Sequence, residues 1–126
     1  MLSVEVENRS GLEVDEAGAV ELAGRVLRAE GIGAGELGIA FVTAAEMRGL
    51  KREHLGVDET TDVLSFPIDG RDDLPEGVPR ALGDVVLCPE VVGDGWRWPL
   101  THGLLHLLGY DHGDVMDARE QVHLSS

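Results

Sequence analysis

Cysteine is nearly absent from this chain. The one thiol, Cys88, makes an internal disulfide impossible, and 126 residues are enough to bury roughly two-thirds of the unfolded surface without such a staple. Cys88 ends the apolar run Val85-Val86-Leu87-Cys88, which predicts a buried, inert thiol. Long hydrophobic runs are missing as well. None reaches the length of a membrane span, and Met1-Leu2-Ser3 leads into the alternating Val4-Glu5-Val6-Glu7 instead of the unbroken apolar core of a signal peptide. A cytoplasmic protein with no membrane partner is expected. Positive charge is scarce: 10 Lys and Arg face 24 Asp and Glu, a formal net charge of −14, which repels polyanions unless basic residues gather locally. The basic cluster is Arg48, Lys51 and Arg52. A helix would put Arg48 and Arg52 on one face with Lys51 beside them, either as a contact for an anionic partner or as a solvated helix face.

What is present is patterned. Ser3 to Asn8 alternates apolar and polar residues, the period of a half-buried strand. From about Asp15 to Glu30, Ala19, Leu22, Ala23, Val26 and Leu27 recur at helical spacing, and Gly31, Gly33 and Gly35 close the helix. Glu36 to Val42 reads as a strand, and Thr43-Ala44-Ala45-Glu46 as a capping box that opens a second helix ending near Leu55-Gly56. Val57 to Thr61 reads as a loop, Asp62 to Pro67 as a short strand and Asp69 to Pro79 as an exposed loop. Leu82 to Cys88 is a strand buried on both faces. Pro99 is suited to the first position of a further helix, with Trp96 and Trp98 as packing anchors at its entrance in preference to stacking platforms for bases. A last helix begins at Gly113-Asp114. This order predicts one mixed α/β or α+β domain over residues 1–126, without repeat or linker.

Three of the five histidines fall between Thr101 and His112. In a helix His102 and His106 project from one face with converging imidazoles. Gly109 suits the left-handed turn that ends a helix, so His112 can return toward the same point. Three imidazoles leave a tetrahedral ion one open position, the arrangement of a catalytic zinc site. Zinc is the first expectation because no thiolate is at hand, although imidazole also suits nickel, copper or iron. A leucine-rich buried helix with hydrogen-bonded histidines would account for one such residue but not for three at this spacing. An ion so held lowers the pKa of bound water to about 7 and polarises a carbonyl or phosphoryl oxygen. The same spacing serves metzincin proteases, which carry a glutamate as general base directly after the first histidine. Gly103 stands there and cannot accept a proton, which argues against peptide hydrolysis by that route. Asp111 is the nearest carboxylate by sequence, a candidate catalytic base or orienting partner for a ligand histidine.

The stretch His102-Gly103-Leu104-Leu105-His106-Leu107-Leu108-Gly109-Tyr110-Asp111-His112 resembles, almost letter for letter, the signature of the YbeY family, bacterial metal-dependent endoribonucleases that act as rRNA maturation factors. Thr61-Asp62-Val63-Leu64-Ser65-Phe66-Pro67 and Leu82-Gly83-Asp84-Val85-Val86-Leu87-Cys88-Pro89-Glu90 match two upstream blocks in the family's order. The resemblance implies a single α/β domain with a small, mostly parallel sheet covered by helices and a metal site on a C-terminal helix and the following turn. It implies zinc on His102, His106 and His112, and cleavage of single-stranded RNA in the maturation of small-subunit ribosomal RNA and in ribosome quality control. Ribosomal RNA is then the partner, with small-subunit proteins beside it, and Arg48, Lys51 and Arg52 become the candidate RNA contacts. Two departures stand out. Many members carry Tyr-Arg before the Thr-Asp-Val-Leu-Ser-Phe block where this chain has His54-Leu55, and the segment from Glu90 to His102 is shorter than the helix usual there. The absent arginine and the acidic surface favour one alternative, a metal-stabilised, ribosome-associated protein-binding module with little catalysis of its own.

Overall fold

The computed structural model describes residues 1–57, 61–111 and 113–124. Strand β1 (Leu2–Asn8) forms where valines alternate with glutamates, so that Val4 and Val6 pack against the core while Glu5 and Glu7 meet solvent. Helix α1 (Glu16–Ala29) is capped by Asp15, whose carboxylate accepts from the Gly18 amide at 2.9 Å. It buries the predicted stripe from Ala19 to Leu27. Strand β2 (Gly35–Phe41) returns parallel to β1, with Val4 opposite Leu37 and Val6 opposite Ile39. Thr43 caps α2 (Ala44–Leu55) by accepting from the Glu46 amide at 3.1 Å. The Glu46 carboxylate, expected to reach back to the cap, is taken by Arg9 at 2.6 Å.

Strands β3 (Val63–Pro67) and β4 (Ala81–Leu87) follow, then the single turn α3 (Pro89–Val92), α4 (Arg97–Leu107) and α5 (Asp114–Leu124). The sheet runs β1-β2-β4-β3, with β1, β2 and β4 parallel and β3 antiparallel to β4. This is the small, mostly parallel sheet expected. Helices α1 and α4 cover one face and bury Leu37, Ile39, Phe41, Val85 and Leu87. On the other face Met47 of α2 packs with Val42, Leu64, Val86 and Cys88. Cys88 is fully buried as predicted, and that burial pushes its thiol pKa up, away from reactivity.

Beyond one-residue shifts at strand ends, two features differ from the sequence reading. Pro89 to Val92 folds into a helical turn, and α4 begins at Arg97, which makes Pro99 its third residue. The first four amides of a helix have no intrahelical acceptor, so a proline is tolerated throughout the first turn. The entrance is set instead by Trp96, buried in the core with the Arg97 guanidinium 4.7 Å above its ring.

The contact that places α4 is made at Gly103. A Cβ built there would stand 2.8 Å from Val85 Cγ1 and 3.0 Å from Ser65 Oγ, so only glycine lets the helix backbone lie this close to β3 and β4. The Ser65 hydroxyl uses the proximity to donate to the Gly103 carbonyl at 3.0 Å. Gly103 therefore faces the sheet, and the position that bears a catalytic glutamate in the metzincins is packed inside this fold. Substituting Gly103→Ala should lower unfolding free energy by about 1–3 kcal/mol through overpacking, measured by chemical denaturation. A neutral result would show that α4 can lift from the sheet at little cost.

Candidate active site

Helical spacing brings His102 and His106 together as predicted, their Nε2 atoms 3.1 Å apart and their rings edge to face. Each ring is held from behind. His106 Nδ1 lies 2.9 Å from the Tyr110 carbonyl, which can only accept, so this nitrogen carries the proton. His102 Nδ1 lies 2.7 Å from Glu120 Oε1, and a carboxylate likewise takes a proton donor. With both Nδ1 atoms used as donors, the two Nε2 atoms are turned toward each other. Such a pair repels unless a proton or a cation lies between them, and outer partners of this kind are what fix the ring and tautomer of a metal-binding histidine.

The turn that supplies the Tyr110 carbonyl ends α4 through Gly109, at φ +94°, the left-handed conformation glycine adopts without strain. The Gly109 amide donates to His106 O at 3.0 Å, and the Tyr110 amide to Leu105 O at 3.1 Å. Glu120 comes from α5 and is nearly buried, its side chain 6 % exposed. Its second oxygen accepts from Trp98 Nε1 at 2.9 Å, and the Trp98 indole stacks on the His102 ring with centroids 5.0 Å apart. The histidines open onto a cleft of about 540 Å³ walled by Leu55, Val63, Ser65, Pro67 and Trp98. Thr61 and Asp62 also line it.

A second carboxylate, Glu30 at the end of α1, anchors the turn from below. Its side chain is 2 % exposed. It accepts from Tyr110 Oη at 2.6 Å, Arg119 Nε at 2.9 Å and His123 Nε2 at 2.7 Å. Arg71, from the loop after β3, donates to its carboxylate at 3.1 Å and to its backbone carbonyl at 2.9 Å. The bond to Glu30, then burial, pushes the Tyr110 phenol pKa up, so Tyr110 stays a donor. One residue thus has its carbonyl on His106 and its hydroxyl on Glu30.

Sequence reasoning missed Glu30, Glu120 and Trp98 as members of this assembly. The carboxylates look like solvated helix residues in one dimension, and their partners lie between 18 and 93 positions away. Asp111 is exposed and outside the set of cleft-lining residues; the carboxylate that meets His102 is Glu120. His112, the third predicted ligand, lies outside the described residues, and among those described no group of three His, Cys, Asp or Glu gathers around one point. Arg48, Lys51 and Arg52 lie on α2, whose final residue Leu55 reaches the cleft wall. Lys51 and Arg52, four and three residues before Leu55, share its side of the helix. His54 packs edge-on against Phe66 at 5.0 Å. Among the described residues no helix is long and apolar enough to cross a membrane.

A family model described as endoribonuclease YbeY matches residues 5–125. Relatives bearing that name include one from Beutenbergia cavernae, 42 % identical over 139 residues that cover 98 % of this chain and 92 % of the relative. Another, from Mycolicibacterium paratuberculosis, is 39 % identical over 140 residues, 98 % of this chain and 79 % of the relative. A third, from Tropheryma whipplei, is 46 % identical over 104 residues, 71 % of this chain and 59 % of the relative. The solution structure of a Thermotoga maritima protein superposes with a TM-score of 0.60 at 23 % identity, over 99 % of this chain and 87 % of that one, which is a likeness of fold.

Acid should loosen the anchor beneath the site. Burial alone would raise the Glu30 pKa, but the bonds from Tyr110, Arg119 and His123 and the Arg119 charge outweigh it and bring the pKa from 4.5 to about 2. A carboxyl whose pKa falls on folding stabilises the fold above its unfolded pKa and loses that contribution as protons return. Unfolding free energy should therefore drop by on the order of 3 kcal/mol as pH falls from the ordinary carboxylate range to about 2. Denaturant titrations at successive pH values should show a gentler drop for Glu30→Gln, starting from lower stability at neutral pH. Equal acid sensitivity in both proteins would place the responsible carboxylates elsewhere.

Proposed function

The chain belongs to the endoribonuclease YbeY family, and from that membership and the histidine geometry we propose that it is an RNA-cleaving hydrolase with a metal ion on His102, His106 and His112. The observation that carries the metal assignment is the facing pair of Nε2 atoms 3.1 Å apart, each ring held through its Nδ1. Two ligands at about 2.0–2.1 Å from a tetrahedral zinc stand roughly 3.3 Å apart, so the pair fits zinc with almost no movement. Imidazole donors and the lack of a nearby thiolate favour zinc over softer alternatives. When bound, the ion would supply positive charge to a phosphodiester oxygen and acidify water beside it.

The remaining work falls to the protein's own side chains. Glu120 and the Tyr110 carbonyl hold the two Nδ1 protons and so aim both Nε2 atoms at one point. Leu55, Val63, Pro67 and Trp98 give the cleft an apolar wall beside the histidines, a surface suited to unpaired bases. Family membership supports single-stranded RNA of the small ribosomal subunit as substrate, in maturation and quality control, with small-subunit proteins as partners and the cytoplasm as the place of action. The formal charge of −14 calls for a local basic path, and Arg48, Lys51 and Arg52 along α2 supply it beside Leu55. A second reading, a metal-stabilised protein-binding module, is favoured by the acidic surplus and by the apolar Leu55 standing in the cleft wall.

The experiment follows ribosomal RNA incubated with the purified protein, with His106→Ala and with a chelated sample. Cleavage by this site is lost in both controls, and metal analysis returns one ion per chain. Residual cleavage equal in all three would be a contaminating nuclease, and metal-dependent stability without cleavage would favour the binding module. A cyclic phosphate end on the product would show attack by the neighbouring ribose hydroxyl instead of water. Substituting Glu120→Gln should weaken metal affinity by about 10–100-fold in a competition titration. Replacing Lys51 and Arg52 by alanine should flatten the log–log dependence of RNA affinity on salt by about 0.7 for each phosphate that is no longer neutralised. An unchanged slope would remove them from the RNA path.

A further inference from the structure

The entrance to α4 carries two tryptophans that the fold treats in opposite ways. Trp96 is 8 % exposed and belongs to the core, while Trp98 is 45 % exposed and lines the cleft. Trp98 is nevertheless held firmly. Its Nε1 donates to Glu120 Oε2 at 2.9 Å, and its ring lies on His102 at 5.0 Å with 28° between the planes. The other oxygen of Glu120 holds His102 itself at 2.7 Å. A packing anchor would be covered, and a stray surface tryptophan would not be clamped at both its polar atom and its ring. The remaining surface is a large, flat, apolar plate in a fixed orientation at the edge of the histidine pair.

We infer that Trp98 is a nucleobase-stacking platform, seating one unpaired base of the RNA next to the phosphate that His102 and His106 address. The inference rests on the RNA reading of this cleft and names the subsite within it. The indole lies against the His102 ring, centroids 5.0 Å apart, so a base laid on it stands beside the histidine pair. Every base presents a π face, which makes such a platform tolerant of sequence. It is not tolerant of pairing: in a duplex both faces of a base are covered by its neighbours, so only a single strand can offer one to Trp98. Preference for single strands then follows from one aromatic residue. Because Glu120 grips both the plate and His102, the seated base and the reacting phosphate are kept in one register.

The test combines a change in the enzyme with a change in the substrate. The cut in a single-stranded oligoribonucleotide is mapped, and a single abasic residue is then moved through the positions around it. With the native protein, one abasic position beside the cut should lower kcat/KM about tenfold, the range that base–aromatic stacking commands. Trp98→Leu should lose about as much on the intact substrate and lose nothing more on that abasic one, while Trp98→Phe, which keeps a ring but not the bond to Glu120, should restore the abasic penalty. An abasic penalty of the same size in Trp98→Leu as in the native protein overturns the platform, since a merely structural tryptophan leaves the two effects independent. A binding arm separates this failure from failure of the nuclease reading. In metal-free protein, the oligoribonucleotide should quench the tryptophan emission that Trp98→Phe removes. Quenching without any His106-dependent cleavage would keep the platform and sink the nuclease; cleavage without quenching and without the substrate coupling would do the reverse.

Discussion

The close approach of α4 to the sheet at Gly103 is the constraint on which the site depends. Because no Cβ stands between the helix and Val85, Ser65 and Val63, the helix can lie flat on β3 and β4, fastened by the Ser65 hydroxyl. A helix has only so many faces. Once the face bearing Gly103, Leu104 and Leu107 is committed to the core, His102 and His106 have to emerge at the border where α4, β3 and α5 meet. Burying the helix and presenting the histidines are therefore one geometric act.

The convergence of the imidazoles then needs orientation, and two interior carboxylates provide it by different routes. Glu120 acts directly on His102. Glu30 acts at one remove, by fixing the Tyr110 side chain whose own carbonyl fixes His106. Both would be costly to bury alone, and both are surrounded by donors, as buried carboxylates must be. Glu30 draws them from the loop after β3, the turn after α4 and helix α5, so the first helix of the chain is tied to its last behind the turn that holds His106.

Much of this was legible in the sequence, for reasons that are local. The period of the apolar residues gave the strands and helices, the i, i+4 histidines their common face, and Gly109 the turn. Family resemblance supplied the sheet's parallel character, which periodicity does not encode. What stayed hidden depends on contacts between distant residues. Nothing near Glu30 announces Arg119 or His123, and Glu120 in an amphipathic-looking helix reads as a solvated acid until α5 is docked on α4. Trp96 and Trp98 are two positions apart with the same chemistry, and only the tilt of α4 sends one inward and the other to the cleft. Pro99 misled because a proline marks a first turn without saying which of its positions it holds.

The placement of those orienting groups on α5 makes the site depend on the integrity of that last helix. A chain cut between α4 and α5 would keep both paired histidines, yet His102 would have no carboxylate behind it and Glu30 would lack two of its donors. Proteolysis at that junction would therefore disarm the pair without touching either of its imidazoles.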